Sequence, residues 1–177
     1  FPSQIIKENF LFIPIIIDEK VNDLTIFTNN QIYNKWNTID EKHYLINYIL
    51  PTEDLEDLSI IKKNFEYIEN YDFNEIIKKY YLDNCIIALI FKDGQEVRIL
   101  SKIINKNKVV IKNDSFPKFD LQNDDKIEFL ISRLKNIYED SWKEHNQINT
   151  SIKLTLILRL DNANPKKLIK FENTLSN

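Results

Sequence analysis

A chain of 177 residues, 43% hydrophobic and 29% charged, is the size of one ordinary domain with enough apolar side chains to bury a real core. Its formal charge of -3 supplies no general field for nucleic acid or an anionic membrane. With one glycine, one cysteine and two histidines, it lacks the means for most familiar site chemistries.

Residues 10 to 17, FLFIPIII, are apolar on both faces and rich in β-branched side chains, as a central strand covered on both sides should be. The run falls short of the roughly 20 residues a membrane helix needs and carries a proline, so no bilayer span is expected. After the polar link DEKVND and the short run LTIF, Ile32, Trp36 and Ile39 fall at helical spacing behind Asn29 or Asn30 as a cap. YLINYIL at 44 to 50 reads as the next strand, ended by Pro51. Thr52 then reads as the cap of a helix reaching about Lys63, with Leu55, Leu58 and Ile60 or Ile61 facing inward. A further helical segment from about Phe73 to Tyr81 buries Phe73, Ile76, Ile77 and Tyr80.

CIIALIFK and EVRILSKII are joined at Asp93-Gly94, a hairpin signal that places the single glycine where positive φ is needed. NKN at 105 to 107 leads into KVVIKN, so residues 85–113 read as an antiparallel meander. The longest helix, from about Asn123 to His145, carries Ile127, Leu130, Ile131, Leu134, Tyr138 and Trp142 on one stripe. SIKLTLILRL at 151 to 160 alternates like a strand, and PKKLIKFENTL closes the chain as a helix. This order predicts a single α/β domain over 1–177, a layered mixed β-sheet with helices packed on it and a C-terminal helix-strand-helix. Strands 10–17, 44–50 and 85–92 should be parallel neighbours. The chain has no Met, so Phe1 is expected to belong to a processed form or a segment of a longer precursor, with any export signal outside it.

Walker and Rossmann phosphate loops and the G-x-S-x-G elbow each need several glycines, which are missing. Cys85 alone makes neither a disulfide nor a cysteine zinc site, and in its apolar setting it reads as a buried inert thiol. His43 and His145 form no metal-binding pair. Carboxylates remain. Asp18 ends the first strand, and Glu53, Asp54, Glu56 and Asp57 follow the second, so parallel strands would gather them at their carboxyl ends, where α/β sheets place ligands. Mg²⁺ held by Asp18 with Asp54 or Asp57 would make a metal-assisted hydrolase or phosphate-binding enzyme the alternative function. The stronger reading is a charged first turn behind Thr52, with Glu56 and Asp57 facing water. Lys102, Lys106, Lys108 and Lys112 with Arg98 decorate the meander and read as a solvated edge guarded against aggregation, not a nucleic-acid face.

Several segments together resemble the C-terminal portion of a proteobacterial family of uncharacterised exported proteins, the domain of unknown function numbered two thousand and sixty-six. They are FIPIII, FTNNQIYNKW, LPTEDLEDL, YLDNCIIALI and YEDSWK. Pro14, Asn30, Trp36, Pro51, Asp54 to Asp57, Tyr81, Asp83, Trp142 and Lys143 match the family's pattern, whereas Phe27 and Tyr33 stand where tryptophans are usual and Leu82 replaces a glycine. More faintly, YLDNCIIALI is similar to the N-terminal domain of TolB. The resemblance implies the periplasm or cell envelope and brings no catalytic residue. The expected function is a non-enzymatic envelope module whose partner is another envelope protein, with no cofactor, no metal and no nucleic acid. Its candidate ligand-binding residues are Asp18, Glu53, Asp54, Asp57, Asn30 and Trp36.

Overall fold

The computed structural model describes residues 7–39 and 45–146. At its centre is β1 (Glu8–Asp18), which is apolar on both faces and so needs helices above and below it. β2 (Asp23–Thr25) folds back antiparallel on the end of β1, with Ile16 opposite Thr25. A 3₁₀ turn at Phe27–Asn29 and the short α1 (Gln31–Lys35) precede β3 (Ile46–Ile49), which runs parallel to the first half of β1. α2 (Leu55–Lys63), a second 3₁₀ turn at Phe65–Tyr67 and α3 (Asn74–Lys78) lead to β4 (Asn84–Asp93), parallel to β1 on its other side. β5 (Glu96–Asn105) and β6 (Lys108–Phe116) continue antiparallel, and α4 (Asp124–Asn146) packs on the sheet. The sheet order is β2-β1-β4-β5-β6, with β3 also on β1.

The predicted parallel trio, the meander and the long helix are all present. The strand expected at 151 to 160 and the closing helix lie outside the described residues.

Strand alternation divides the core in two. Phe10, Phe12, Ile86, Ala88, Ile90 and Ile99 face α1 and α4, meeting Ile32, Trp36, Leu130, Leu134 and Tyr138. Leu11, Ile13, Ile15, Cys85, Ile87 and Leu89 face the other way, onto Ile61, Ile68, Phe73 and Ile76. Burial pushes the Cys85 thiol well above its ordinary range, so it is inert, as its apolar run suggested. Among the described residues, the helical cover on this second face ends before β6. Val110 and Phe116 pack toward α4, while Val109, Ile111, Asn113 and Ser115 are exposed.

The scarcity of glycine has a visible consequence. Gly94 supplies φ +60° in the β4–β5 link, where Asp93 faces Glu96. Other left-handed positions fall on Asn22, Phe27, Phe73, Tyr81, Lys106 and Lys118. For buried aromatics such as Phe27 and Phe73 this conformation is unusual, and only the surrounding packing can hold it.

Candidate functional site

The acidic stretch after β3 forms a strand-to-helix junction, but its details differ from the sequence reading. The N-cap of α2 is Asp54, whose side chain accepts from Glu56 N at 2.8 Å. Thr52 lies before the helix, and its backbone N–H donates to the Tyr80 hydroxyl at 3.0 Å, a contact that no local pattern reveals. The buried face of the helix also differs from the expected one. Leu55, expected inside, is 80% exposed, whereas Asp57, expected in water, is 1% exposed. Asp57 lies one turn before the buried Ile61, and that i, i+4 relation was the available signal.

The group that makes this burial tolerable is Lys79, just past α3. Its ammonium donates to Asp57 Oδ1 at 2.6 Å, Glu56 at 3.0 Å and Asp54 at 3.4 Å. One cation therefore fastens the start of α2 to the end of α3. The hydrogen bonds to Asp57 and Glu56 hold the Lys79 pKa above its ordinary value. The Glu56 backbone N–H, helped by Lys79, holds the Asp54 carboxyl below its ordinary value.

The signs give a pH prediction. The depressed Asp54 contributes stability above its ordinary 3.8, lost as pH falls through the folded value. The raised Lys79 contributes fully below its ordinary 10.5, and that contribution disappears as pH rises through the folded value. A plot of melting temperature against pH should thus be highest between these limits. The Lys79→Met variant should lack this site's share of the alkaline fall, measurable by differential scanning calorimetry.

Glu53 turns away from this cluster, accepting from Thr28 Oγ1 at 3.3 Å. Asp18 is held elsewhere. Its carboxylate accepts from Lys20 N at 3.0 Å and Val21 N at 3.3 Å and pairs with Lys92 at 3.5 Å. Burial opposes its ionisation, but those two N–H groups and Lys92 prevail and keep the carboxyl low. Strand register explains the separation of Asp18 from the junction. β3 ends with Ile49 opposite Leu11, far short of the end of β1. Asp18 and the 54–57 cluster thus have different partners, and among the described residues no group of three or more His, Cys, Asp or Glu is placed to hold a metal.

Asn30 and Trp36 are interior residues. Asn30 caps α1 by accepting from Ile32 N at 2.9 Å and Tyr33 N at 3.2 Å, and its amide donates to the Pro14 carbonyl at 3.0 Å and that of Thr25 at 3.3 Å. Every hydrogen-bonding direction of a buried amide is then used. Trp36 stacks on Phe12 with ring centroids 3.7 Å apart. The basic residues of the meander are divided between faces: Lys102 donates to the Tyr71 carbonyl at 3.0 Å, while Lys112 pairs with Glu144 of α4 at 3.8 Å.

Two open clefts escaped the sequence reading. One, of about 600 Å³, lies at the carboxyl ends of β1 and β4 and is lined by Ile17, Glu19, Phe65, Tyr67, Glu69 and Phe91. Arg98 pairs with Glu69 at 3.0 Å and stacks over Phe91 at 4.0 Å beside it. The other, of about 420 Å³, runs along the uncovered face of β5 and β6. Neither is formed by one continuous motif, so no local spacing announces it.

No protein-family model matches the chain, and no curated protein matches it in sequence. Among solved structures, the chain is similar to the lipoprotein GNA1162 from Neisseria meningitidis. The identity is 12%, covering 79% of this chain and 98% of that one, with a TM-score of 0.40. It is also similar to an uncharacterised protein at 6% identity, covering 78% of this chain and 91% of that one, with a TM-score of 0.29.

Proposed function

We propose that this chain is a non-enzymatic α/β module that docks another protein in the bacterial cell envelope. The observation that carries the docking reading is the uncovered sheet face at β6. Val109 is 61% and Ile111 56% exposed there, beside Tyr71 and Ile104 and rimmed by Lys102 and Lys106. A neighbouring set of apolar side chains with a polar rim is the anatomy of a protein interface, and leaving it in water is unfavourable. The envelope location rests on the sequence resemblance to the exported family described above. No described helix is long and apolar enough to cross a membrane. The carboxylates favour the non-enzymatic reading, because Lys79 already occupies the centre of their cluster.

A photo-crosslinking residue at position 109 should yield a discrete adduct with one envelope protein. Ile111→Lys in the same chain should abolish it with the melting temperature unchanged, since an exposed substitution alters stability by about 0.5 kcal/mol or less. The same adduct from a crosslinker at Glu128, which is exposed on α4, or survival of the adduct in the Ile111→Lys chain, would count against the reading.

A further inference from the structure

The connections that leave β1 and β3 go to opposite faces of the sheet, one toward α1 and one toward α2. In an open α/β sheet such a divergence leaves a crevice beyond the carboxyl ends of the strands, where ligands sit. Here the crevice is nearly filled. The Tyr33 hydroxyl donates to the Pro51 carbonyl at 2.7 Å across it, and Thr28 reaches Glu53 at its rim. What remains is a cavity of about 10 Å³ lined by Ile13, Phe27, Tyr33, Asp57, Ile61 and Ile76 among others. One wall is polar where the others are apolar. Asp57 Oδ1 is bound by Lys79, but Asp57 Oδ2 is buried and has no hydrogen-bond partner.

We propose that this crevice is a binding site for one water molecule, anchored by Asp57 Oδ2. A buried carboxylate oxygen with no donor is costly, and a donor that reaches it from the cavity relieves that cost. Volume decides the class of ligand. About 10 to 15 Å³ of such space holds a single water, so an organic amine or alcohol has no room for its carbon atoms. A metal ion fits no better, because Ca²⁺ and Mg²⁺ take six or more oxygens and these walls are mostly hydrocarbon. Lys79 already supplies the positive charge that the carboxylate needs. Tyr33 completes the site. Its hydroxyl hydrogen is engaged with Pro51, which leaves its oxygen lone pairs to accept the water's second hydrogen. The water links α1 to α2 through Tyr33 and Asp57, at the place where related architectures keep a ligand site open.

A crystal structure of the wild-type chain at a resolution that orders internal waters tests this directly. The expected result is one water within about 3.2 Å of Asp57 Oδ2 and also bonded to the Tyr33 oxygen. In solution, ¹⁷O magnetic relaxation dispersion should count one fewer long-lived water in Asp57→Leu than in wild type. Absence of density beside Oδ2, a protein donor bonded to it, or a peak with the short distances and high coordination of a metal would each overturn the proposal. The crystallographic arm uses the native chain, so it decides the matter whether or not the variant folds.

Discussion

Replacing Lys79 by Met is expected to destabilise the fold, while replacing its partner, Asp57→Leu, is expected to leave stability unchanged or raised. The asymmetry follows from where the two charges sit. The Asp57 side chain is 1% exposed, so losing its counter-charge strands an anion inside the protein. Lys79 is 36% exposed and screened by water, which makes the loss smaller than for a pair buried at both ends. Removing Asp57 instead leaves Lys79 with Glu56 at 3.0 Å, Asp54 at 3.4 Å and solvent, and a leucine in that apolar setting strands nothing. The double variant should therefore be more stable than Lys79→Met alone. Urea unfolding followed by circular dichroism measures all four corners of this cycle. If Lys79→Met proves as stable as wild type, the ion pair does not hold α2 to α3.

The residues that announced themselves in the sequence did so through period and local chemistry. β1 and β4 were legible because both faces of each are apolar, and the meander because Asp93-Gly94 and the 105–107 link punctuate alternating runs. The stripe of α4, from Ile127 to Trp142, repeats at helical spacing over about four turns, which leaves little room for another reading. What escaped depends on contacts between distant segments. The Thr52 N–H is taken by Tyr80, 28 residues away, the helix is capped by Asp54, and Asp57 faces inward toward Lys79. Lys79 stands 22 residues from Asp57 in a run with no distinguishing pattern. The offset of β3 against β1, which separates Asp18 from the junction, is a matter of register, and a four-residue strand carries little register information of its own. Helical spacing behind a capping asparagine singles out Asn30 and Trp36 in the sequence. The structure supplies the physical reason such residues suit their positions, which is a fully bonded cap and a stacked ring.

Trp36→Ala is expected to cost about 3 to 5 kcal/mol, whereas Trp36→Phe should cost clearly less, and the contrast distinguishes a core residue from a ligand platform. The indole is completely buried, stacked on Phe12 at 3.7 Å and edge-on to Tyr48 at 5.2 Å. Truncation to Ala removes the largest side chain of that cluster and opens a cavity between the sheet and α4 that Phe12, Tyr48 and Tyr138 cannot close without leaving their own contacts. Phe keeps the aromatic contact with Phe12, a geometry that contributes about 0.5 to 1.5 kcal/mol beyond buried area. It also sacrifices no hydrogen bond, because Trp36 Nε1 is buried without a partner. The fluorescence of Trp142, the second tryptophan, remains available to follow unfolding in both variants. A residue that served chiefly to stack on a ligand would sit at a surface and give a small stability change with a large binding change. A loss of several kcal/mol on truncation, recovered in good part by Phe, instead assigns Trp36 to the packing that holds α1 and α4 on the sheet. It would place any partner-binding role of this protein on its exposed faces.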